Sequence, residues 1–195
     1  MSIVTGSFPL YSNDKLLEKI RSLGFLNMTT GPWVAGGAAR RVYCSDDKTY
    51  GDIDIFINKN TKNSFQRIEK LLYARSSQIA FKENSAYLSF NVEGDIVQVI
   101  KNIKFESAID LINDFDFTAC MIATDGWDWI ANENFFTAIE DKKLVFNNED
   151  QNRLSLLRLA KYCKYGFTPI PGVFEKIANF NEIDKNGFLK PKNNY

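Results

Sequence analysis

The run Asp52-Ile53-Asp54-Ile55-Phe56-Ile57 constrains the chain more than any other. Its alternation at a period of two predicts a strand, and strands send successive side chains to opposite faces. Ile53, Ile55 and Ile57 therefore share one face while the carboxylates of Asp52 and Asp54 share the other. Paired carboxylates on one rigid face form a seat for a hard divalent cation such as Mg²⁺, which prefers oxygen ligands. Upstream, the short apolar run Trp33-Val34-Ala35 ends in Gly36-Gly37. Paired glycines let the backbone approach a phosphate closely and present N–H donors to it. The chain from Gly37 to about Cys44 can turn into a helix whose N-terminus faces that turn, where an anion is favoured. A lone pair of glycines is a turn signal, and an isolated D-x-D is common on surfaces. In this order, the two point to a site.

Gly36-Gly37-Ala38-Ala39-Arg40 followed by Asp52-Ile53-Asp54 resembles the nucleotidyltransferase superfamily, which includes DNA polymerase β and the poly(A) and CCA-adding polymerases. The CCA-adding branch carries G-G-x-V-R and then D-x-D. Gly36, Gly37 and Arg40 match, Ala39 stands for the valine, and Arg41 replaces an acidic residue often found next. The resemblance implies that Asp52 and Asp54 bind Mg²⁺ or Mn²⁺ and that Gly36, Gly37, Ala38 and Arg40 hold a nucleoside triphosphate. It also implies an α/β (α+β) nucleotidyltransferase fold: a small mixed sheet, helices packed on one face, and a C-terminal helical appendage.

With 195 residues the chain reads as one domain with an appendage, a core over 1–147 and a neck-like helix and tail over 148–195. Lys+Arg and Asp+Glu both number 24, so the net charge is zero, which argues against reliance on a broad basic surface to hold long nucleic acid and leaves a local basic groove open. Histidine is absent, which excludes Ser-His-Asp and Cys-His catalysis, histidine-ligated zinc and histidine bases. Cys44, Cys120 and Cys163 are widely spaced without a CxxC, and read as reduced, buried thiols. The opening Met1-Ser2-Ile3-Val4 shows no signal peptide, and no apolar run reaches the roughly 18 residues of a membrane span. The expected location is the cytoplasm, a host's cytoplasm if the protein is viral.

Along the chain, Ser12 or Asn13 is placed to cap a helix that buries Leu16, Leu17, Ile20 and Leu23 and stops at Gly24. Ser45 to Tyr50 is a polar loop, too mobile for Asp46 and Asp47 to hold a fixed metal geometry. Thr61 caps a second helix through Arg75. Ala86 to Val92 and Ile96 to Ile100 read as strands joined at Glu93-Gly94-Asp95. Ser107 to Asn113 reads as a short helix and Phe117 to Ile122 as a strand. Asp125-Gly126 reads as a turn before an edge strand holding Trp127, Trp129 and Ile130.

The resemblance predicts a third acid on a neighbouring strand. Asp95 falls in the turn, and the alternation around Val97 and Val99 puts Gln98 nearest that place; an amide orients water or ribose but is a weak metal ligand. The second candidate is Asp116, in Phe115-Asp116-Phe117-Thr118, a segment similar to one in nucleotidyltransferase-like proteins of viruses and phages. Asp116 is either a substitute acid or a buried group tying two elements together, since a buried acid needs partners.

Glu149-Asp150-Gln151-Asn152-Arg153 opens a long helix to about Tyr165, stopped by Gly166. Arg153, Arg158, Lys161 and Lys164 spread over one arc, with Leu156, Leu159, Ala160 and Cys163 opposite. Alone this is a surface helix with a solvated basic face. It resembles the neck of CCA-adding enzymes, where E-D-x-x-R opens a helix ending in G-F, although one extra residue precedes Gly166-Phe167. The resemblance implies that Asp150 and Arg153 contact the incoming base, with Arg158 and Lys161 neutralising phosphate charge. The chain after Gly166 reads as a Pro-Gly turn, at most a short helix over 173–180 and a frayed end. The tRNA-gripping body and tail of CCA-adding enzymes are missing, so tail addition by this chain alone is not expected.

The expected function is metal-dependent transfer of a nucleoside monophosphate from an NTP to a hydroxyl, releasing pyrophosphate. The acceptor is open among a small molecule, an RNA end and a protein side chain, and oligomeric state is not legible. The alternatives are a degenerate member that binds a nucleotide or a protein partner, and a toxin- or antitoxin-type nucleotidyltransferase.

Overall fold

The structure is a computed structural model and describes residues 2–45, 51–60, 64–76, 78–83, 86–147, 156–173, 180–183 and 189–191. Its first half holds β1 (Ile3–Ser7), α1 (Lys15–Ser22), β2 (Trp33–Ala35), α2 (Gly37–Cys44), β3 (Ile53–Asn58), α3 (Ser64–Arg75), β4 (Gln78–Glu83) and β5 (Tyr87–Val92). Then come β6 (Asp95–Phe105), α4 (Ala108–Asn113), β7 (Ile122–Thr124), β8 (Asp128–Asn132), α5 (Glu133–Glu140) and β9 (Lys143–Leu144). Past that point lie α6 (Leu156–Lys164), β10 (Thr168–Pro169), β11 (Phe180–Ile183) and β12 (Leu189–Pro191).

Eight strands form one mixed sheet in the order β1-β8-β7-β2-β3-β6-β5-β4, with β3 and β6 parallel and the other pairs antiparallel. Ile53, Ile55 and Ile57 are buried together and pack with Leu17 and Ile20 of α1, Val42 of α2, and Ile68 and Leu72 of α3. Slipping β3 by one residue would turn those three isoleucines out of this cluster, where burial is worth about 1.5–3 kcal/mol each, and drive the two aspartates into it, so hydrophobic burial fixes which face carries the aspartates. On that second face, Trp33 and Ala35 meet Leu111 and Ile112 of α4 and Phe135 of α5, with Phe56 packed against them. The fold class is the expected one. The sheet is larger than the small sheet anticipated, and helices flank it on both sides instead of one.

A third cluster docks α6 on the rest: Leu159 and Tyr162 pack with Phe117, Cys120, Leu144, Phe167 and Val173. Ala160 and Cys163, expected on the apolar side, are exposed. Tyr162 takes their place because its hydroxyl meets the Cys120 Sγ at 2.7 Å, and a buried tyrosine is tolerated when its polar tip is paired.

Several local expectations shift. Asp14 caps α1, accepting from the Leu17 N–H at 2.9 Å, while the Ser12 hydroxyl oxygen accepts from the Asp14 N–H. Residues 117–122 are not one strand: Thr118–Cys120 form a 3₁₀ turn, and the strand begins at Ile122. That run is buried on every side, so its pattern carries no period to separate turn from strand. β8 is not at the edge, because β1, unforeseen in a half-exposed run, pairs outside it. β4 and α5 were not foreseen either. Within the tail, Phe180–Ile183 and Leu189–Pro191 pair antiparallel as β11 and β12; residues 174–179 and 192–195, which hold most of the expected short helix and the expected frayed end, lie outside the described residues. Of the three thiols only Cys120 is buried; Cys163 is exposed. Asp46, Asp47, Thr61, Asp150 and Arg153 lie outside the described residues.

Candidate active site

The site forms where β2 ends, α2 begins and β3 starts. Gly36 adopts φ +67 and ψ −125, a conformation that L side chains rarely reach. A Cβ there would also meet the Phe115 ring at 3.1 Å, so the turn demands glycine twice over. Its N–H donates to the Ile122 carbonyl at 3.0 Å, which fixes the turn to β7. The first N–H groups of α2 have no partner within their helix and give this end a positive dipole.

Across from this turn, Asp52 and Asp54 line one cleft together with Gly36 and Gly37. The spatial expectation from the alternation of residues 52–57 is thus realised. The same cleft is lined by Arg40, Arg41, Phe56, Phe115, Arg158, Lys161, Tyr162 and Tyr165, so α6 supplies its third wall. The enclosed volume is about 80 Å³, well below the roughly 300–1,000 Å³ of a cavity that swallows a whole ligand.

Asp52 is held at both ends. Its Oδ2 accepts from Gln98 Nε2 at 2.8 Å, and Arg41 Nη2 donates to the carbonyls of Gly51 at 2.9 Å and Asp52 at 3.3 Å. Gln98 is opposite Asp54 in the parallel β3–β6 register, which puts an amide at the place where the resemblance calls for a third acid. Burial, and next the neighbouring Asp52 carboxylate, pushes Asp54 up to about 6, against the pull of Lys161, Arg158 and Arg41. Burial lowers Arg41 from its ordinary value, with a further push from Arg40.

The other sequence-derived candidates divide. Ala38 is buried in the core with Val34 and Val42, so only its backbone faces the helix end. Arg40 borders the cleft, yet it is 1% exposed and its guanidinium lies 5.7, 5.4 and 5.4 Å from the rings of Tyr162, Tyr165 and Phe167. It clamps α2 to the α6 segment as well as bordering the site. Asp95 is half exposed and pairs with Lys19 at 3.2 Å, away from the cleft. Asp116 is not among the residues lining the cleft; its Oδ1 accepts from Arg158 Nη2 at 2.7 Å. In the sequence Arg41 is only a departure from the motif. The one signal for it was its place beside Arg40 in the first turns of a helix aimed at the glycine turn.

Among the described residues, no three acidic, cysteine or histidine side chains group to hold a metal ion. Two carboxylates suit Mg²⁺ when phosphate oxygens and water complete the shell. Burial first and the Asp52 charge second raise Asp54, and the Asp52 repulsion is the kind a cation between the pair relieves.

Residues 9–142 match the sequence profile of a family described as Gabija anti-defense 2. The chain belongs to that family. No curated protein matches it. Among solved structures it is similar to the Thermotoga maritima CCA-adding enzyme complexed with tRNA, with a TM-score of 0.59 and 15% identity over 91% of this chain and 45% of that one. A CCA-adding enzyme in complex with CTP gives 0.58 and 16% over 85% and 41%. The Bacillus stearothermophilus enzyme, also with CTP, gives 0.53 and 18% over 84% and 41%. The chain therefore spans less than half the length of these enzymes and shares their nucleotidyltransferase fold. No helix among the described residues is long and apolar enough to cross a membrane.

Proposed function

We propose that this protein is a nucleotidyltransferase that moves a nucleoside monophosphate from an NTP to a hydroxyl acceptor. The observation that carries the reading is the cleft itself, with Asp52 and Asp54 on one wall, the Gly36–Gly37 turn on another and Arg158 with Lys161 on a third. Asp52 and Asp54 would hold Mg²⁺ brought with the triphosphate, and the ion would supply neutralising charge at the reacting phosphate. The N–H groups at the start of α2, with Arg41, Arg158 and Lys161, stabilise charge on the phosphates. In a space of about 80 Å³ the phosphates lodge and the base stays toward the mouth. The acceptor oxygen bonds to the α-phosphorus as the bond to pyrophosphate breaks. Its proton passes to water, since the amide of Gln98 cannot take it.

The family name points to action against a defence system. The acceptor we propose is accordingly a hydroxyl on a protein or small molecule of that defence, in keeping with a net charge of zero that disfavours long nucleic acid. The test is incubation with α-labelled NTPs, Mg²⁺ and defence components, beside an Asp52→Ala/Asp54→Ala variant. Label should move to an acceptor only with the unaltered protein. One specific observation favours a second reading, a nucleotide-binding member without chemistry: Gln98 bonds Asp52 where an acid was expected. Nucleotide binding without transfer, undisturbed by the double substitution, would replace the first reading with the second.

A further inference from the structure

We propose that Asp116 is a positioning residue: it holds Arg158 against the wall of the cleft and so sets the grip on a polyphosphate. The inference rests on the nucleotide reading of that cleft and adds a residue outside it. Asp116 is a rigid anchor. Its carbonyl accepts from the Asn147 N–H at 2.8 Å, and the Asn147 side-chain amide donates to the carbonyls of Phe115 at 3.0 Å and Asn113 at 2.8 Å. Its Oδ1 accepts from the Phe117 N–H at 2.9 Å as well as from Arg158 Nη2 at 2.7 Å. The Asp116 side chain is 10% exposed and that of Arg158 41%, so a buried carboxylate holds a partly exposed arginine that lines the cleft.

Arg158 Nη2 also lies 3.8 Å from the Cys120 Sγ, whose other contact is the Tyr162 hydroxyl one turn along the same helix. The guanidinium is thus fixed from the core side. A long arginine side chain loses up to roughly 2 kcal/mol of rotamer freedom when it is ordered. Ordering it before an anion arrives removes that cost from binding. The pairing also lets a cation stay close to Arg40 and Arg41, which line the same cleft from α2. Asp116 touches no reacting group and acts through Arg158 alone.

The test titrates inorganic tripolyphosphate, which carries no base, into the full chain by calorimetry. The variants are Asp116→Asn, Arg158→Ala, the two combined, and Arg158→Lys, which keeps the charge but not the planar fork. Asparagine can still accept from Phe117, so the turn is preserved. Asp116→Asn should weaken binding about tenfold, the scale of one charge-assisted contact, and Arg158→Ala at least as much. The double variant should bind no worse than Arg158→Ala, and Arg158→Lys should fall close to it. Nitrogen NMR should show the Arg158 guanidinium rotating slowly in the unaltered protein and freely in Asp116→Asn.

Multiplying losses in the double variant would overturn the proposal, as would full affinity in Asp116→Asn or Arg158→Lys, or unchanged rotation. It also falls if the unaltered protein binds no tripolyphosphate. If that protein binds it with the expected pattern yet transfers no nucleotide, the transfer reading falls and the positioning role stands.

Discussion

Replacing Asp54 by asparagine isolates what the paired carboxylates cost the fold. A carboxyl held at about 6, against an ordinary 3.8, is destabilising to the folded state whenever it is ionised. At about 1.36 kcal/mol per tenfold change the penalty is near 3 kcal/mol, and access to water at the open cleft trims it to about 2. The sign follows from linkage. The folded state binds this proton more tightly than the unfolded chain, so the penalty is complete above pH 6. It fades as pH falls from 6 toward 3.8, and is absent below. Asp54→Asn should therefore stabilise the protein in EDTA at pH 8 by about 2 kcal/mol, or roughly 4–8 °C in Tm for a chain of this size. The gain should shrink through pH 5 and vanish near pH 4. Paired urea melts at pH 8, 6 and 4 measure it. No gain at pH 8, or an equal gain at every pH, would refute the claim that burial and the Asp52 charge strain this group. In the transfer reading the same variant loses the thermal shift that Mg²⁺ with an NTP gives the unaltered protein, so stability rises as the ligand's contribution disappears.

Two further outcomes follow from packing. Gly36→Ala puts a Cβ 3.1 Å from the Phe115 ring at φ +67 and should cost about 1–3 kcal/mol, seen as a lower Tm and weaker NTP binding; an unchanged Tm would mean that the turn relaxes without strain. A thiol reagent should label exposed Cys163 first and Cys44 more slowly. It should reach Cys120 only on unfolding, because that thiol is buried, bonded to Tyr162 and pushed up to about 11 by burial; rapid native labelling at Cys120 would contradict this.

Much of the cleft was legible in the sequence because it is local. Alternation over residues 52–57 decides which side of β3 bears the aspartates, and Gly36 is required by one backbone conformation. Gln98 was also readable, since the alternation of β6 sets its face. What escaped was whatever depends on a partner distant in the chain. Arg41 earns its place from carbonyls that β3 brings to it, and Tyr162 is buried through a thiol on a segment that the fold lays beneath α6. The single apolar run at residues 117–122 could not declare a 3₁₀ turn, because burial from all sides erases any period.

By itself, then, the sequence determined the α/β class, the β2–α2 turn and the shared face of Asp52 and Asp54, each a matter of near neighbours obeying backbone geometry. Only the tertiary structure decided that Asp116 faces Arg158 and that, among the described residues, no third acid joins the carboxylate pair. It also decided that Arg40 sits among three rings, and that α6 forms a wall of the cleft. Those outcomes turn on desolvated charges finding partners across long stretches of chain, a condition that packing must satisfy and that a linear pattern does not encode.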